Sequence, residues 1–389
     1  MTKSLARLSA WLSTRGGTIA TYLAVVALLI ALGFPAVVRM IPLGNDISGT
    51  DPDDWTLYHS YALSVLNDGP SMPAVKGPYV RPGGFAYVYF IALNYRLFGV
   101  RSEVVYAVQT VLVSLAVLVY VFLARRRYPA LVVLVYGVLL VFFVALDVWR
   151  NYQARLLSEN LLVPLLALAV LAFETMARKP SWHTALLCGV VCGACFLVRP
   201  NTLLLAPAWA VLVLWSHRKQ RSRAVIQAIA LCVGASLVTG LLIVRNQAVG
   251  AGDHSSVVSP SRDWNVPATL ADAPLFYVKK AIYLAGYLPI LVREYQPRPH
   301  WLLVWPLAVL SVILKLRRRA LDPLDQAIIV LLIVYYGPLL AVGDITNYGY
   351  RHLIAGMPLV LYLAQGCFAM RTASEREPAT LPAATAAVR

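Results

Sequence analysis

Charge is scarce in this sequence. Only 13% of its 389 residues are Asp, Glu, Lys or Arg, while 59% are hydrophobic. A water-soluble domain carries about a quarter charged residues, so a soluble enzyme or a hydrated binding module is excluded. Cysteine is missing from the polar loops, where it would bridge or bind metal. Cys188, Cys192, Cys195, Cys232 and Cys367 all lie inside apolar runs, which argues against a disulfide framework or a zinc site. The helical face shared by Cys188, Cys192 and Cys195 reads as small residues at a helix contact. No internal repeat is detectable, and no polar stretch is long enough for a soluble domain.

What is present is a series of apolar runs of membrane-spanning length, recurring from Thr18 to Met370. The expected fold is all-α and polytopic. The stretch before the first run holds Lys3, Arg7 and Arg15, but the run is too long for a signal-peptide core, so it reads as a retained span. Basic clusters mark one side of the membrane: Arg125 to Arg127, Arg178-Lys179, Arg218 to Arg223, and Lys315 to Arg319. By the positive-inside rule this side is cytoplasmic. Nearly all of the +16 net charge then falls inside, and nucleic-acid binding is not needed to explain it. Membrane lipids are the expected surroundings.

The spans expected are 18–39, 102–124, 129–146, 158–176, a hairpin of two short helices over 184–216 broken at Arg199-Pro200, then 224–244, 301–316, 325–342 and 352–370. That makes about ten transmembrane helices in an inner (plasma) membrane, with both termini inside. Residues 1–17 read as a cytoplasmic N-terminus, 18–370 as the transmembrane domain and 371–389 as a disordered cytoplasmic tail. Two outer loops are expected, 43–101 and 246–300. The first holds an interfacial helix beginning at Asp53 or Asp54, with a stripe of Trp55, Tyr58, Ala62, Val65 and Leu66, stopped by Asn67-Asp68-Gly69-Pro70. A second apolar segment, 83–98, is short for a span. Were it to cross, Arg125 to Arg127 would face outward, so it too is read as interfacial. The segment 274–292 is read in the same way, because Lys279-Lys280 interrupts it.

The first outer loop is where the acidic residues gather: Asp46, Asp51, Asp53 and Asp54. One Asp is adequately explained as a helix cap. Four in nine residues at a low-dielectric surface raise at least one pKa and make a general base toward a hydroxyl. Both readings stand on the residues alone. Arg81, Arg199, Arg245 and Arg351 each lie at the outer end of an apolar segment. Each could snorkel, yet four from distant stretches also suit a shared phosphate. His352 and Lys279-Lys280 could join them or be ordinary surface residues. Tyr58, Tyr79, Tyr87, Tyr348 and Tyr350 read as an aromatic belt or as platforms for a sugar ring.

The order of these signals resembles the GT-C superfamily of polyprenyl-phosphate-sugar-dependent glycosyltransferases, such as the protein O-mannosyltransferases and the lipid A aminoarabinose transferases. The resemblance rests on Asp54 with Tyr58 and Ala62, on Arg81-Pro82-Gly83 through Leu97-Phe98-Gly99, on Arg199-Pro200, on Arg245-Asn246 with Gly250, and on Arg351 with Pro358. It implies an inverting transfer at the outer face of the membrane. The donor is a polyprenyl-phosphate sugar, and the acceptor is a hydroxyl on a glycan, lipid or protein. Asp54 or its neighbour Asp53 is the base. Arg81, Arg199, Arg245, Arg351 and His352 face the lipid phosphate, and Tyr58, Asp46 and Tyr350 face sugar or acceptor. Metal dependence varies in the superfamily, and no clear ligand set is legible, so a divalent cation stays open beside the lipid-linked co-substrate. A transporter or flippase for a lipid-linked sugar would use the same arginines without a base. It would also show internal repeats and broken helices at mid-membrane, whereas here the polar residues gather at one face. A membrane scaffold subunit is the third reading.

Overall fold

A computed structural model describes residues 7, 8, 10–40, 54–69, 85–145, 156–217, 220–248, 267, 269–284, 299–341 and 351–369. Among them the helices are α1 (Arg15–Met40), α2 (Asp54–Asp68), α3 (Phe85–Phe98), α4 (Ser102–Arg125), α5 (Ala130–Phe143), α6 (Glu159–Arg178), α7 (Trp182–Val198), α8 (Leu205–Ser216), α9 (Arg221–Ala248), α10 (Ala273–Leu284), α11 (Pro299–Arg317), α12 (Pro323–Ala341), α13 (Arg351–Ala364) and the short α14 (Gly366–Ala369). A single 3-10 turn, Pro200–Thr202, lies between α7 and α8. No strand occurs among the described residues.

The breaks between helices follow local chemistry. Gly69 and Gly99 sit at φ +89° and +81°, a backbone conformation that glycine adopts without a Cβ clash. They end α2 and α3 where the sequence places the stops. α7 opens on a capping box, in which the Thr184 amide donates to Ser181 Oγ at 3.2 Å and the Ser181 amide donates to Thr184 Oγ1 at 3.2 Å. It ends at Arg199, held extended at φ −145° and ψ 118° because the residue before proline is driven out of the helical region. The expected hairpin of two short helices is what forms.

Arg15–Gly33, Ser102–Arg125, Glu159–Arg178, Arg221–Val244 and Pro323–Ala341 are each long and apolar enough to cross a bilayer, and the apolar helices at 130–143, 182–198, 200–216 and 355–368 are shorter. Such a chain is an all-α polytopic membrane protein. Its outward faces agree. On α9, Ile226, Ile229, Val233, Leu237, Leu241 and Val244 are all exposed at helical spacing, a stripe that only hydrocarbon would solvate.

α6 runs through the centre, and its two ends are chemically different. At its C-terminal end Glu174, 1% exposed, is paired to Arg127 at 2.5 Å and also to Arg178. Arg127 pairs in turn with Asp322. Beside them Lys315 Nζ donates to both Asp325 oxygens at 2.8 and 2.7 Å and to the Tyr128 hydroxyl at 2.9 Å. These contacts gather the ends of α4, α6, α11 and α12 into one basic end. Of the two readings left open for Lys280, the ordinary surface residue does not fit. It is 5% exposed, with its ammonium 5.1 Å over the Phe276 ring, because α10 packs on α12 and turns that face inward.

α7 and α9 pack with backbone in contact with backbone. A Cβ on Gly189 would strike the carbonyl oxygen of Leu231, and one on Gly234 would strike that of Leu186, whereas Gly240 faces open space. Close approach through small residues is how helices associate where water gives no driving force. Gly189→Val and Gly234→Val are therefore expected to cost about 3 kcal/mol or more, seen as loss of the monodisperse peak in detergent chromatography, with Gly240→Ala as the tolerated control. At the basic end, Asp325→Asn leaves Lys315 charged and buried, and a loss of about 3–5 kcal/mol is expected. Thermal melting in detergent should show most of it restored in the double variant Lys315→Met, Asp325→Leu.

Candidate functional site

The other end of α6 begins Ser158-Glu159-Asn160, three polar residues that are all fully buried. Fifteen helical rises separate Glu159 from Glu174, about 22 Å, so this site lies across the bundle from the basic end. Glu159 is ion-paired with Arg199 at the tip of the α7–α8 hairpin, with side chains 0% and 19% exposed. The tip is held from two sides. Thr202 Oγ1 donates to the Arg199 carbonyl at 2.9 Å, and Asn201 Nδ2 donates to the Tyr335 carbonyl of α12 at 3.1 Å.

From this pair a chain of polar contacts runs toward α2 and α3. Ser158 Oγ donates to Glu159 Oε2 at 3.3 Å, and the Tyr58 hydroxyl donates to Ser158 Oγ at 3.4 Å. On the adjoining side Asn160 Nδ2 donates to Gln109 Oε1 at 3.1 Å, and Gln109 Nε2 donates to the Tyr87 hydroxyl. The Tyr58 and Tyr87 rings meet edge to face at 5.1 Å, so the two branches converge. Tyr87 is 0% exposed, and neither a belt at the lipid interface nor an open sugar platform describes it. It faces inward because α3 packs against α4, where Gln109 needs a partner. Burial raises the pKa of the Tyr87 hydroxyl and of the Tyr95 hydroxyl, which keeps both protonated. The same cause lowers that of His59, whose Nδ1 lies 2.8 Å from the Tyr95 hydroxyl.

α2 and α3 pack together on a small core of their own, shared with the start of α4, the end of α7 and the end of α9. Ala62, Tyr87, Ile91, Tyr106, Phe196 and Leu242 belong to it. This core sets the position of several residues singled out by the sequence. Asp54 is the first residue of α2, one turn from Tyr58. Arg245 lies three residues beyond Leu242 on α9. Arg351 and His352 open α13, and α14, which follows it, meets Ser311 and Lys315, so the backbone at Arg351 and His352 lies at the end of α13 away from the basic end. For Asp54, Arg245, Arg351 and His352 the structure describes the backbone alone. Asp46, Asp53, Arg81 and Tyr350 lie outside the described residues. Among the described residues no three His, Cys, Asp or Glu cluster as metal ligands.

Sequence reasoning missed Glu159, Gln109 and Asn160. One signal for Glu159 was available: a carboxylate heading an apolar run with no basic residue in the following turn. Its partner lies forty residues away, and spacing does not reveal that. Chemically, the arrangement is a partly exposed guanidinium held by a buried carboxylate. Arginine carries five N–H donors, more than one carboxylate fills, so such a group can bind an anion while staying in place.

Residues 81–243 match the family described as dolichyl-phosphate-mannose-protein mannosyltransferase. The matched segment begins at Arg81, contains Glu159 and Arg199, and stops short of Asp54, Arg245 and Arg351. No curated protein matches the chain. Solved structures of the oligosaccharyltransferase of Archaeoglobus fulgidus align with it. One, AglB in complex with an inhibitory peptide and a dolichol-phosphate, is 12% identical with a TM-score of 0.48, covering 92% of this chain and 52% of that one. Another, in complex with Zn and sulfate, is also 12% identical with a TM-score of 0.48, covering 89% and 49%. This chain thus spans about half the length of the structures it aligns with. The resemblance to the GT-C membrane glycosyltransferases is thus carried by residues 81–243, which are similar to the family described as dolichyl-phosphate-mannose-protein mannosyltransferase.

Proposed function

We propose that this protein is an inverting glycosyltransferase that moves a sugar from a polyprenyl-phosphate donor to an acceptor hydroxyl at the outer face of the membrane. The observation that carries the reading is the buried Glu159–Arg199 pair. It lies inside the segment that matches a glycosyltransferase family, across the bundle from the basic end, and its polar chain leads to Tyr58, one turn from Asp54.

In this reading Asp54, or Asp53 beside it, accepts the proton of the acceptor hydroxyl. The hydroxyl oxygen forms a bond to the anomeric carbon on the face opposite the phosphate. The bond from that carbon to the phosphate oxygen breaks, the oxygen leaves with the lipid, and the configuration inverts. Negative charge grows on the departing phosphate. Arg199 meets it, joined by Arg81, Arg245, Arg351 and His352, and preorganised donors at the point where charge develops are the strongest contribution a site can make. Glu159 is the positioning residue that fixes Arg199. Tyr58, Asp46 and Tyr350 contact the sugar and the acceptor. On this reading the positive-inside rule turns the basic end to the cytoplasm, with both termini on that side.

The test is release of free polyprenyl phosphate from a labelled polyprenyl-phosphate sugar by the purified full chain. Loss of the base in Asp54→Asn should lower release by about 10²- to 10⁴-fold, with the detergent elution profile unchanged. Arg199→Gln should lower it by about 10²-fold or more. Full activity in both Asp53→Asn and Asp54→Asn removes the proposed base and with it this mechanism.

A further inference from the structure

An apolar crevice opens on the lipid-facing surface between α5, α11 and α13. Its volume is about 560 Å³, and Val135, Leu139, Leu303, Leu307, Met357 and Leu361 are among the residues that line it. It extends along α13 and α14 from Met357 to Phe368. Eleven helical rises make that about 16 Å, close to the depth of one leaflet, half of a hydrocarbon core of about 30 Å. Val135, Leu139 and Leu303 are half or more exposed, so the crevice is open sideways to lipid and not to water.

One lining residue does not fit an apolar crevice. Gln365 is 4% exposed, and among the described residues neither the nitrogen nor the oxygen of its side-chain amide has a hydrogen-bond partner. Ser311 Oγ, fully buried on the facing helix, lacks one as well. These groups lie at one level, because a Cβ on Gly366 would run into Ser311 Oγ and the Lys315 side chain. A buried amide without partners costs about 1–3 kcal/mol. It stands at the basic end of the crevice, with Arg317 exposed at the end of α11, Arg319 exposed in the turn after it and Arg126 exposed just before α5. The carboxylates of that end, Glu174, Asp322 and Asp325, are already paired with Arg127, Arg178 and Lys315.

We propose that this crevice seats one acyl chain of an anionic diacyl phospholipid from the leaflet on the basic side. The chain lies along α13 toward the bilayer centre. The ester oxygens accept from the Gln365 amide, and the phosphate meets the exposed arginines. A hydrocarbon tail alone leaves Gln365 unsatisfied. A polyprenyl carrier has no oxygen at that depth if its phosphate is at the Glu159 end, about 22 Å of helix away. The site is independent of the proposed sugar transfer, and its test does not read activity.

The full chain, stripped of lipid in detergent, is titrated by native mass spectrometry with dioleoyl phosphatidylglycerol, dioleoyl phosphatidylcholine or a polyprenyl phosphate. One phosphatidylglycerol is expected to bind tenfold more tightly than phosphatidylcholine. Leu139→Trp fills the crevice and should weaken that binding at least tenfold, while Leu237→Trp on the lipid face of α9 should leave it unchanged. Gln365→Leu should weaken it severalfold without lowering the melting temperature. Equal affinity for both phospholipids, unchanged binding in Leu139→Trp, or displacement of phosphatidylglycerol by equimolar polyprenyl phosphate would each overturn the assignment.

Discussion

A carboxylate cannot be left charged and alone where water is excluded, and Glu159 has no exposed surface at all. The desolvation penalty for such a group amounts to several kcal/mol, and the partner that offsets it must come from elsewhere in the chain. Here it is Arg199, which can reach Glu159 only because Pro200 ends α7 and turns the chain at that level. The hairpin, the start of α6 and the clasp from Asn201 to α12 are therefore one mechanical unit. Ser158, Tyr58, Gln109 and Tyr87 extend it, and each of them has a polar group that a hydrocarbon surrounding would leave unsatisfied. The position of the α2–α3 pair follows from the same demand, since Tyr58 and Tyr87 bring it onto the network while Ile91 and Leu242 bury its apolar side.

The two ends of α6 solve one problem in opposite ways. At the Glu174 end there are more cations than anions, and the carboxylates are shared among them: Glu174 takes two arginines, and Arg127 takes two carboxylates. Such a mesh is over-determined and suits anchoring. At the Glu159 end the described charges are few. Ser158 donates to the Glu159 carboxylate at 3.3 Å, and the contacts beyond it, from Tyr58 to Ser158 at 3.4 Å and from Asn160 to Gln109, join neutral groups. One ion pair set among hydroxyl and amide contacts holds a single cation in place, whereas the mesh spreads each charge over several partners. That difference, more than burial, distinguishes the two ends.

Most helix boundaries were legible because they are fixed by one or two adjacent residues. Gly69, Gly99 and Arg199-Pro200 end their helices wherever the rest of the chain goes. The interfacial reading of residues 83–98 came from bookkeeping of Arg125 to Arg127, and a helix over Phe85–Phe98 capped by Gly99 is what forms. The polar network was not legible, because its partners come from five separate stretches and no spacing rule joins Tyr58 to Ser158 or Asn160 to Gln109. Tyr87 misled for a related reason: a tyrosine near an interface resembles a belt residue until the helix beside it supplies an amide. Lys280 misled because a charged pair in an apolar segment reads as surface, while α12 covers one of the two. Asp53, Arg81, Asp46 and Tyr350 rest on the sequence pattern alone.

On the glycosyl-transfer reading, pairing Arg199 with a carboxylate looks self-defeating, since the carboxylate neutralises the charge that a leaving phosphate needs. The geometry argues the reverse. An unpaired guanidinium on a flexible stem would snorkel toward the headgroups, and recalling it during each reaction would cost reorganisation at the moment charge develops. Glu159 is rigidly placed in the first turn of a buried helix and has no exposure to lose. It keeps the guanidinium plane in one orientation before substrate arrives, and fixed donors outperform mobile ones because they need not move in the transition state. Neutralisation is also incomplete, because the planar fork presents donors on more than one edge. The pair is better described as a mount for a cation than as its cancellation, and a mount of this kind has to be built from the bundle's interior, where α6 begins.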